Sequence, residues 1–482
     1  MISNFQKSFF YLIIHFAFFG CSEQDDQSSK PNILFIFADD QAYNTIHALG
    51  NDEIITPTLD KLTEEGMTFT NTYNMGGWHG AVCVASRTML NTGRFIWNAY
   101  RNERKLKQLA SSRQLWSLMM QDAGYETYFS GKWHVKISPD SIFNHVRHIR
   151  PGMPKDSPEG YNRPIKGQDD SWSPYDTTFG GFWEGGKHWS EVLGDDAEDF
   201  LKLASKSDKP FFMYLAFNAP HDPRQSPQQF VEMYPAENIA VPKNFMPEYP
   251  YNGEIGYGRS LRDERLAPFP RTEYAIKVNR QEYYAIITHM DQQINRILSA
   301  LEKSGKKDNT YIFFTADHGL ACGNHGLLGK QNMYDHSIRP PMIVVGPDIP
   351  KNKKTKTDVY LQDIMATSLE LAGVEKHDFI EFNSLMDIVT EKRIESYYPS
   401  IYGCYTNAQR MIRKEGFKLI VYPQARATLL FDTNNDSLEM NDLNGKKEYG
   451  ELKQTLFNDL LYLQDAMEDS VDIKGAFPNL VL

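Results

Sequence analysis

Short, uninterrupted apolar runs alternate along the chain with longer segments in which apolar side chains recur every three or four positions. The first run, Asn-Ile-Leu-Phe-Ile-Phe-Ala from Asn32 to Ala38, stops at Asp39-Asp40, as a strand buried on both faces of a parallel sheet does. Residues 211–217, 311–314 and 342–345 repeat the pattern, and helical spacing occupies 58–66, 113–124, 195–204, 283–301 and 363–372. Strands alternating with helices predict an α/β fold, a sheet with helices on both faces, whose sites form beyond the carboxyl ends of the strands. Three polar clusters fall at such ends: Asp39-Asp40, Asn218-Ala-Pro-His221 and Thr315-Ala-Asp317-His318. After about residue 375 the rhythm changes. Residues 410–422 read as two short strands around Glu415-Gly416, followed by a strand at 429–432 and a helix over 448–465, which predicts a smaller antiparallel subdomain. The stretch 138–194, rich in Pro, Gly, Trp and Asp, has little periodicity and reads as loops over the site.

Composition narrows the setting. The 482 residues suffice for one large or two to three modest domains, and we expect a catalytic body over 31–375 and a C-terminal subdomain over 376–482. A formal charge of −11 gives the surface no general attraction for nucleic acid or anionic lipid. The mean hydropathy of −0.51 excludes a polytopic membrane protein. At the N-terminus Lys7 precedes an apolar run over 8–19, shorter than the roughly 20 residues a span needs, so residues 1–20 read as a signal peptide. Gly20-Cys21 resembles a bacterial lipoprotein box with Cys21 as the lipidated residue, and the polar residues 21–30 read as a tether; the alternative is a plain secretory signal. Either way the expectation is an exported protein, periplasmic or on the cell surface, anchored to the outer membrane by lipid and touching membrane only through that anchor. Cys83, Cys322 and Cys404 remain, an odd number for an exported chain, so at least one should be unpaired.

Asp39, Asp40 and Asp317 offer hard oxygen ligands suited to Ca²⁺, with Mg²⁺ as the second choice. Alone, an Asp-Asp pair more often starts a turn, and a single histidine such as His134 or His221 is more often structural. The run Cys83-Val-Ala-Ser-Arg87 with Thr92-Gly93-Arg94 downstream changes that weighting. It fits the segment in which sulfatases convert cysteine to formylglycine. The chain resembles a type I, formylglycine-dependent sulfatase of the alkaline phosphatase superfamily, similar to bacterial polysaccharide sulfatases. The resemblance extends over Pro31-Asn-Ile-Leu-Phe-Ile-Phe-Ala-Asp-Asp40, Gly131-Lys-Trp-His134, Ala219-Pro-His-Asp222, Ala316-Asp-His-Gly319, Gly326-Leu-Leu-Gly-Lys330 and Leu430-Phe-Asp432.

That resemblance implies an alkaline-phosphatase-like sandwich with a large mixed sheet and a C-terminal antiparallel subdomain. It implies that Asp39, Asp40, Asp317 and His318, with an oxygen of the formylglycine made from Cys83, bind the cation. Arg87 and Lys132 would hold the aldehyde hydrate, His134 would act as base, and His221 and Lys330 would hold the leaving oxygen and the sulfate. A hydrated aldehyde has two hydroxyls on one carbon: one attacks sulfur, and deprotonation of the other expels sulfate and restores the aldehyde. Trp78 and His79 before Cys83, Arg224 after His221, and His325 are candidate substrate contacts. The expected substrate is a sulfated carbohydrate, an algal glycan such as ulvan or a glycosaminoglycan, and the expected partner a formylglycine-generating or sulfatase-maturating enzyme. The alternatives are a phosphonate or phosphate ester hydrolase of the same superfamily, and a non-catalytic glycan-binding surface lipoprotein.

Overall fold

The computed structural model describes residues 30–256 and 258–480. The expected signal peptide, Cys21 and almost all of the tether lie outside the described residues. The main sheet has eight strands in the order Lys353–Thr355, Met67–Phe69, Met342–Val345, Thr310–Ala316, Asn32–Ala38, Phe211–Ala216, Glu126–Lys132 and His145–Arg150. Met342–Val345 runs antiparallel to both of its neighbours and the other pairings are parallel. Its apolar run reports burial on two faces, which is independent of strand direction, so the sheet is mixed.

The first strand shows why such runs are continuous. Ile33, Phe35 and Phe37 enter one core with Trp116, Phe212 and Phe313, while Leu34, Ile36 and Ala38 enter a second with Phe200, Met290 and Phe314. Helices cover both faces: Trp116–Asp122 and Asp363–Leu371 pack into the first core, Trp189–Ala204 and Glu273–Lys303 into the second. Glu273–Lys303, at 31 residues, exceeds the predicted 283–301 at both ends. Residues 138–194 are not loops throughout, because they contain the edge strand His145–Arg150 and the start of Trp189–Ala204.

The second sheet orders Ala427–Asp432, Phe417–Tyr422, Gln409–Lys414 and Ile401–Tyr405 antiparallel, with Gly450–Ala466 packed against it. Its fifth strand, Gly76–Gly77, comes from far upstream and pairs parallel with Cys404 and Tyr405. Gly76 sits at φ +88°, and a Cβ there would overlap the Cys404 carbonyl, so the junction of the two sheets requires glycine. Cys83, Cys322 and Cys404 are all buried and unpaired. Among the described residues, no helix is long and apolar enough to cross a membrane.

Candidate active site

Four adjacent parallel strands deliver the polar clusters to one edge. Asp39 and Asp40 follow Asn32–Ala38, Asp317 and His318 follow Thr310–Ala316, His221 follows Phe211–Ala216, and Lys132 ends Glu126–Lys132 with His134 just beyond. Ala38 and Ala316 are in register, which brings the two aspartate clusters side by side. Asp40 N–H donates to Asp317 Oδ1 at 3.2 Å, and Asp40 turns through a φ of +66° to do so. Cys83 and Arg87 come from the helix Val82–Thr92, whose first turn points at this edge and whose partial positive charge suits an anionic ligand. All eleven of its residues are buried. That leaves no polar face for a periodicity reading to find.

The charges form a tight lattice. Arg87 Nε donates to Asp317 Oδ2 at 3.0 Å, its Nη1 to the Lys132 carbonyl at 2.9 Å, and its Nη2 lies 3.8 Å from Asp39 Oδ1. Lys132 Nζ is hydrogen-bonded to Asp39, and Lys330 Nζ to Asp40. Lys330 Nζ is also 3.1 Å from His221 Nε2, whose opposite nitrogen faces the Asp222 carbonyl at 2.7 Å. His318 Nε2 lies 3.4 Å from Cys83 Sγ and 3.3 Å from Asp40 Oδ1. Burial, reinforced by Asp317, holds the Asp39 carboxyl well above the usual carboxylate range against the pull of Lys132. Burial would raise the Cys83 thiol too, but Lys132, Lys330 and His318 outweigh it and lower it well below its ordinary value. Burial lowers the His134 imidazole below its usual value.

The residues fit a divalent cation. Ligand atoms of Asp39, Cys83 and Asp317, of Asp40, Cys83 and His318, and of Asp39, Asp40 and His221 each lie within 4.8 Å of one another, all buried. Asp39 Oδ1 is buried with no hydrogen-bond partner, an acceptor in need of a positive ligand.

Cys83, His134, His221 and Lys330 open onto one cavity of about 410 Å³. Arg87 and Lys132, fully buried, sit beneath it. The candidate substrate contacts are placed differently. Trp78 packs on Tyr100 at 5.6 Å and His79 Nδ1 accepts from Ala81 N–H, while it is their neighbours Gly80 and Ala81 that line the cavity. Arg224 is 2% exposed, lies over the Tyr283 ring and donates to Asn279, so it is packed under the site rather than presented to it. His325 stacks on Tyr334 at 4.0 Å and lines a separate cavity with Phe431 and Glu439. Conversely, the cavity is lined by Gly152, Met153, Arg262, Asp263 and Gln331, none of which the sequence singled out. Arg262 and Asp263 belong to Arg-Asp-Glu-Arg, a run that by itself reads as a solvated turn.

A family model described as "Sulfatase" matches residues 31–374, and one described as "N-sulphoglucosamine sulphohydrolase, C-terminal" matches 323–466. The chain is 26% identical to an N-acetylglucosamine-6-O-sulfatase of Bacteroides thetaiotaomicron over 93% of its own length and 88% of that protein. It is 26% identical to an ulvan-active sulfatase of Formosa agariphila, over 93% of this chain and 84% of that one. A structure solved in complex with its substrate D-glucosamine-2-N,6-O-disulfate shares the fold at a TM-score of 0.72 and 24% identity, covering 92% of this chain and all of that one.

Proposed function

Since the chain belongs to the sulfatase family and is therefore a sulfuric ester hydrolase, we propose that it removes sulfate from a sulfated carbohydrate, with residue 83 as the nucleophile after conversion of Cys83 to formylglycine. The observation that carries this reading is the convergence of Cys83, Arg87, Lys132, His134, His221 and Lys330 on three buried aspartates at one sheet edge. The polymer or oligosaccharide character of the substrate is supported by the glycan sulfatases among its relatives. Asp39, Asp40, Asp317 and His318 would hold the cation, for which Ca²⁺ suits the hard oxygen set. When bound, the cation supplies Lewis-acid polarisation of a nucleophile or sulfuryl oxygen, and the formylglycine supplies a hydroxyl nucleophile.

The chain's own side chains do the remaining work. Arg87 and Lys132 are locked by Asp317, Asp39 and a backbone carbonyl, so their positive charges are in place before the substrate arrives and need no reorganisation. His221 directs Nδ1 at the Asp222 carbonyl, which leaves Nε2, beside the Lys330 ammonium, as the nitrogen that gives its proton to the departing oxygen when the ring is in its imidazolium form. His134 has an unpartnered Nδ1 and is favoured in its neutral form, as a base that takes the proton released at residue 83 must be. Export on a lipid anchor at Cys21, and maturation of Cys83 by a formylglycine-generating or sulfatase-maturating enzyme, complete the proposal.

The test is intact mass together with turnover. The reading expects a deficit of about 18 Da at Cys83 in enzyme from the native host, sulfate release from a panel that includes ulvan and glycosaminoglycan oligosaccharides, and little hydrolysis of phenyl phosphonate. Full activity with an unmodified Cys83, or faster turnover of phenyl phosphonate than of any sulfate ester, would overturn it.

A further inference from the structure

The polar wall of the cavity contains a closed ring of five side chains. His221 Nδ1 lies 3.2 Å from Asp222 Oδ1, and the same oxygen accepts from Arg262 Nη2 at 3.1 Å. Arg262 Nη2 also donates to Asp263 Oδ1 at 2.6 Å, and its Nε to that oxygen at 3.0 Å. Asp263 Oδ2 lies 4.0 Å from Lys330 Nζ, which returns to His221 Nε2 at 3.1 Å. Gln331 Nε2 braces Asp263 Oδ2 at 3.0 Å. Both carboxylates are buried, whereas the Arg262 side chain is 28% exposed and lines the cavity.

We propose that Arg262 is a positioning residue for the leaving-group side of the reaction: by clamping Asp222 and Asp263 together it fixes His221 and Lys330 where the departing oxygen must be met. A guanidinium can do this because its planar fork presents separate N–H groups to two carboxylates, which a single ammonium does less well. Asp222 has no other strong anchor in the ring, and its second oxygen, Oδ2, is buried without a hydrogen-bond partner. Without Arg262, Asp222 loses its guanidinium partner and Asp263 keeps only Lys330, at 4.0 Å, and Gln331. The arrangement then relaxes by drawing Lys330 toward Asp263 and away from His221 Nε2, and it leaves the Asp222 carbonyl as the one contact holding Nδ1. The clamp touches neither residue 83 nor Arg87 and Lys132, so the nucleophile keeps these supports, while protonation of the leaving oxygen loses its geometry. This rests on His221 as the proton donor.

The experiment compares kcat and KM of wild type, Arg262→Gln, Arg262→Lys, His221→Ala and the double variant Arg262→Gln/His221→Ala on a sulfated sugar and on nitrophenyl sulfate. A sugar alkoxide needs the proton and a nitrophenolate hardly does. Arg262→Gln should lose about 10–100-fold in kcat on the sugar sulfate with KM nearly unchanged, and only a few-fold at most on nitrophenyl sulfate. Arg262→Lys should recover part of the loss, and Arg262→Gln should cost clearly less once His221 is Ala, the remainder being the misplacement of Lys330. Turnover of nitrophenyl sulfate doubles as the check on folding. If Arg262→Gln lacks a folded transition, Asp222→Asn is judged by the same two substrates and the same outcomes. Equal losses on both substrates, a change in KM alone, or additive losses in the double variant would each overturn the clamp. A selective His221→Ala beside an indifferent Arg262→Gln overturns the clamp alone. A His221→Ala variant with no leaving-group preference overturns the donor assignment and the clamp with it.

Discussion

Arg87→Met is the perturbation whose cost is most directly set by the structure. The Arg87 side chain is fully buried, donates to Asp317 and to the Lys132 carbonyl, lies 3.8 Å from Asp39 and has its Cζ 4.6 Å from the centre of the Phe37 ring. Methionine replaces much of the volume and keeps the contact with Phe37, but it leaves Asp317 and Asp39 short of one positive charge and a buried carbonyl without its donor. Breaking a buried ion pair from one side costs about 3–5 kcal/mol. Small proteins have a urea dependence of about 1–3 kcal/mol per molar and a chain of this size a steeper one, so that is a fall of about 1 M or less in the midpoint. Divalent cation bound by Asp39, Asp40 and Asp317 would supply part of the missing charge. The fall should therefore be largest in excess chelator and clearly smaller in excess calcium, so calcium should stabilise the variant more than it stabilises wild type. Tryptophan fluorescence against urea, in chelator and in calcium, measures all four midpoints. An equal loss with and without the cation would refute the claim that these carboxylates are the metal site.

Cys83→Ser should show no multiple turnover, because a serine ester lacks the second hydroxyl whose deprotonation expels sulfate; the check is steady-state sulfate release by a preparation shown by mass to carry unmodified serine. Gly152→Ala should cost about 10²-fold in kcat with a near-normal unfolding midpoint, because the added Cβ overlaps the His134 ring and displaces it; kinetics and urea melts of the same preparation decide. Asp291, which accepts the Thr58 and Leu59 N–H groups at the start of the helix Pro57–Glu65, is pushed up by burial to about 6. The folded state then holds a proton that the unfolded chain releases near pH 4. Its contribution to stability is complete below that pH and is lost as pH rises through about 6, a fall of about 3 kcal/mol that Asp291→Asn should abolish in urea midpoints taken from pH 4 to 8.

Much of this site was legible in one dimension because its chemistry is carried by contiguous residues. Asp39-Asp40, Asp317-His318, Gly131-Lys-Trp-His134 and Cys83 through Arg87 are local strings, and the apolar runs before Asp39 and Asp317 placed them at strand ends before any pairing was known. The helix that presents Cys83 was not legible, because a segment buried on every side has no amphipathic period. Nor was the edge strand His145–Arg150, whose residues are exposed or half-buried and so lack an apolar signature.

The sequence by itself therefore determined the α/β class and the buried strand beginning at Asn32, which rest on periodicity, and it supplied the catalytic and metal-ligand candidates through local motifs that resemble those of sulfatases. Only the tertiary structure decided which side chains share a cavity. Arg224 and His325 sit close in sequence to His221 and Lys330, yet each packs against Tyr283 or Tyr334 instead. Arg262 and Asp263, about forty residues from Asp222 and nearly seventy from Lys330, close a ring with them. The strand Gly76–Gly77 likewise joins a sheet whose other strands begin after residue 400. The physical reason is the same in all three cases. Hydrophobic burial and strand pairing are nearly indifferent to distance along the chain, so the folding that assembles a cavity wall leaves no spacing pattern in the sequence.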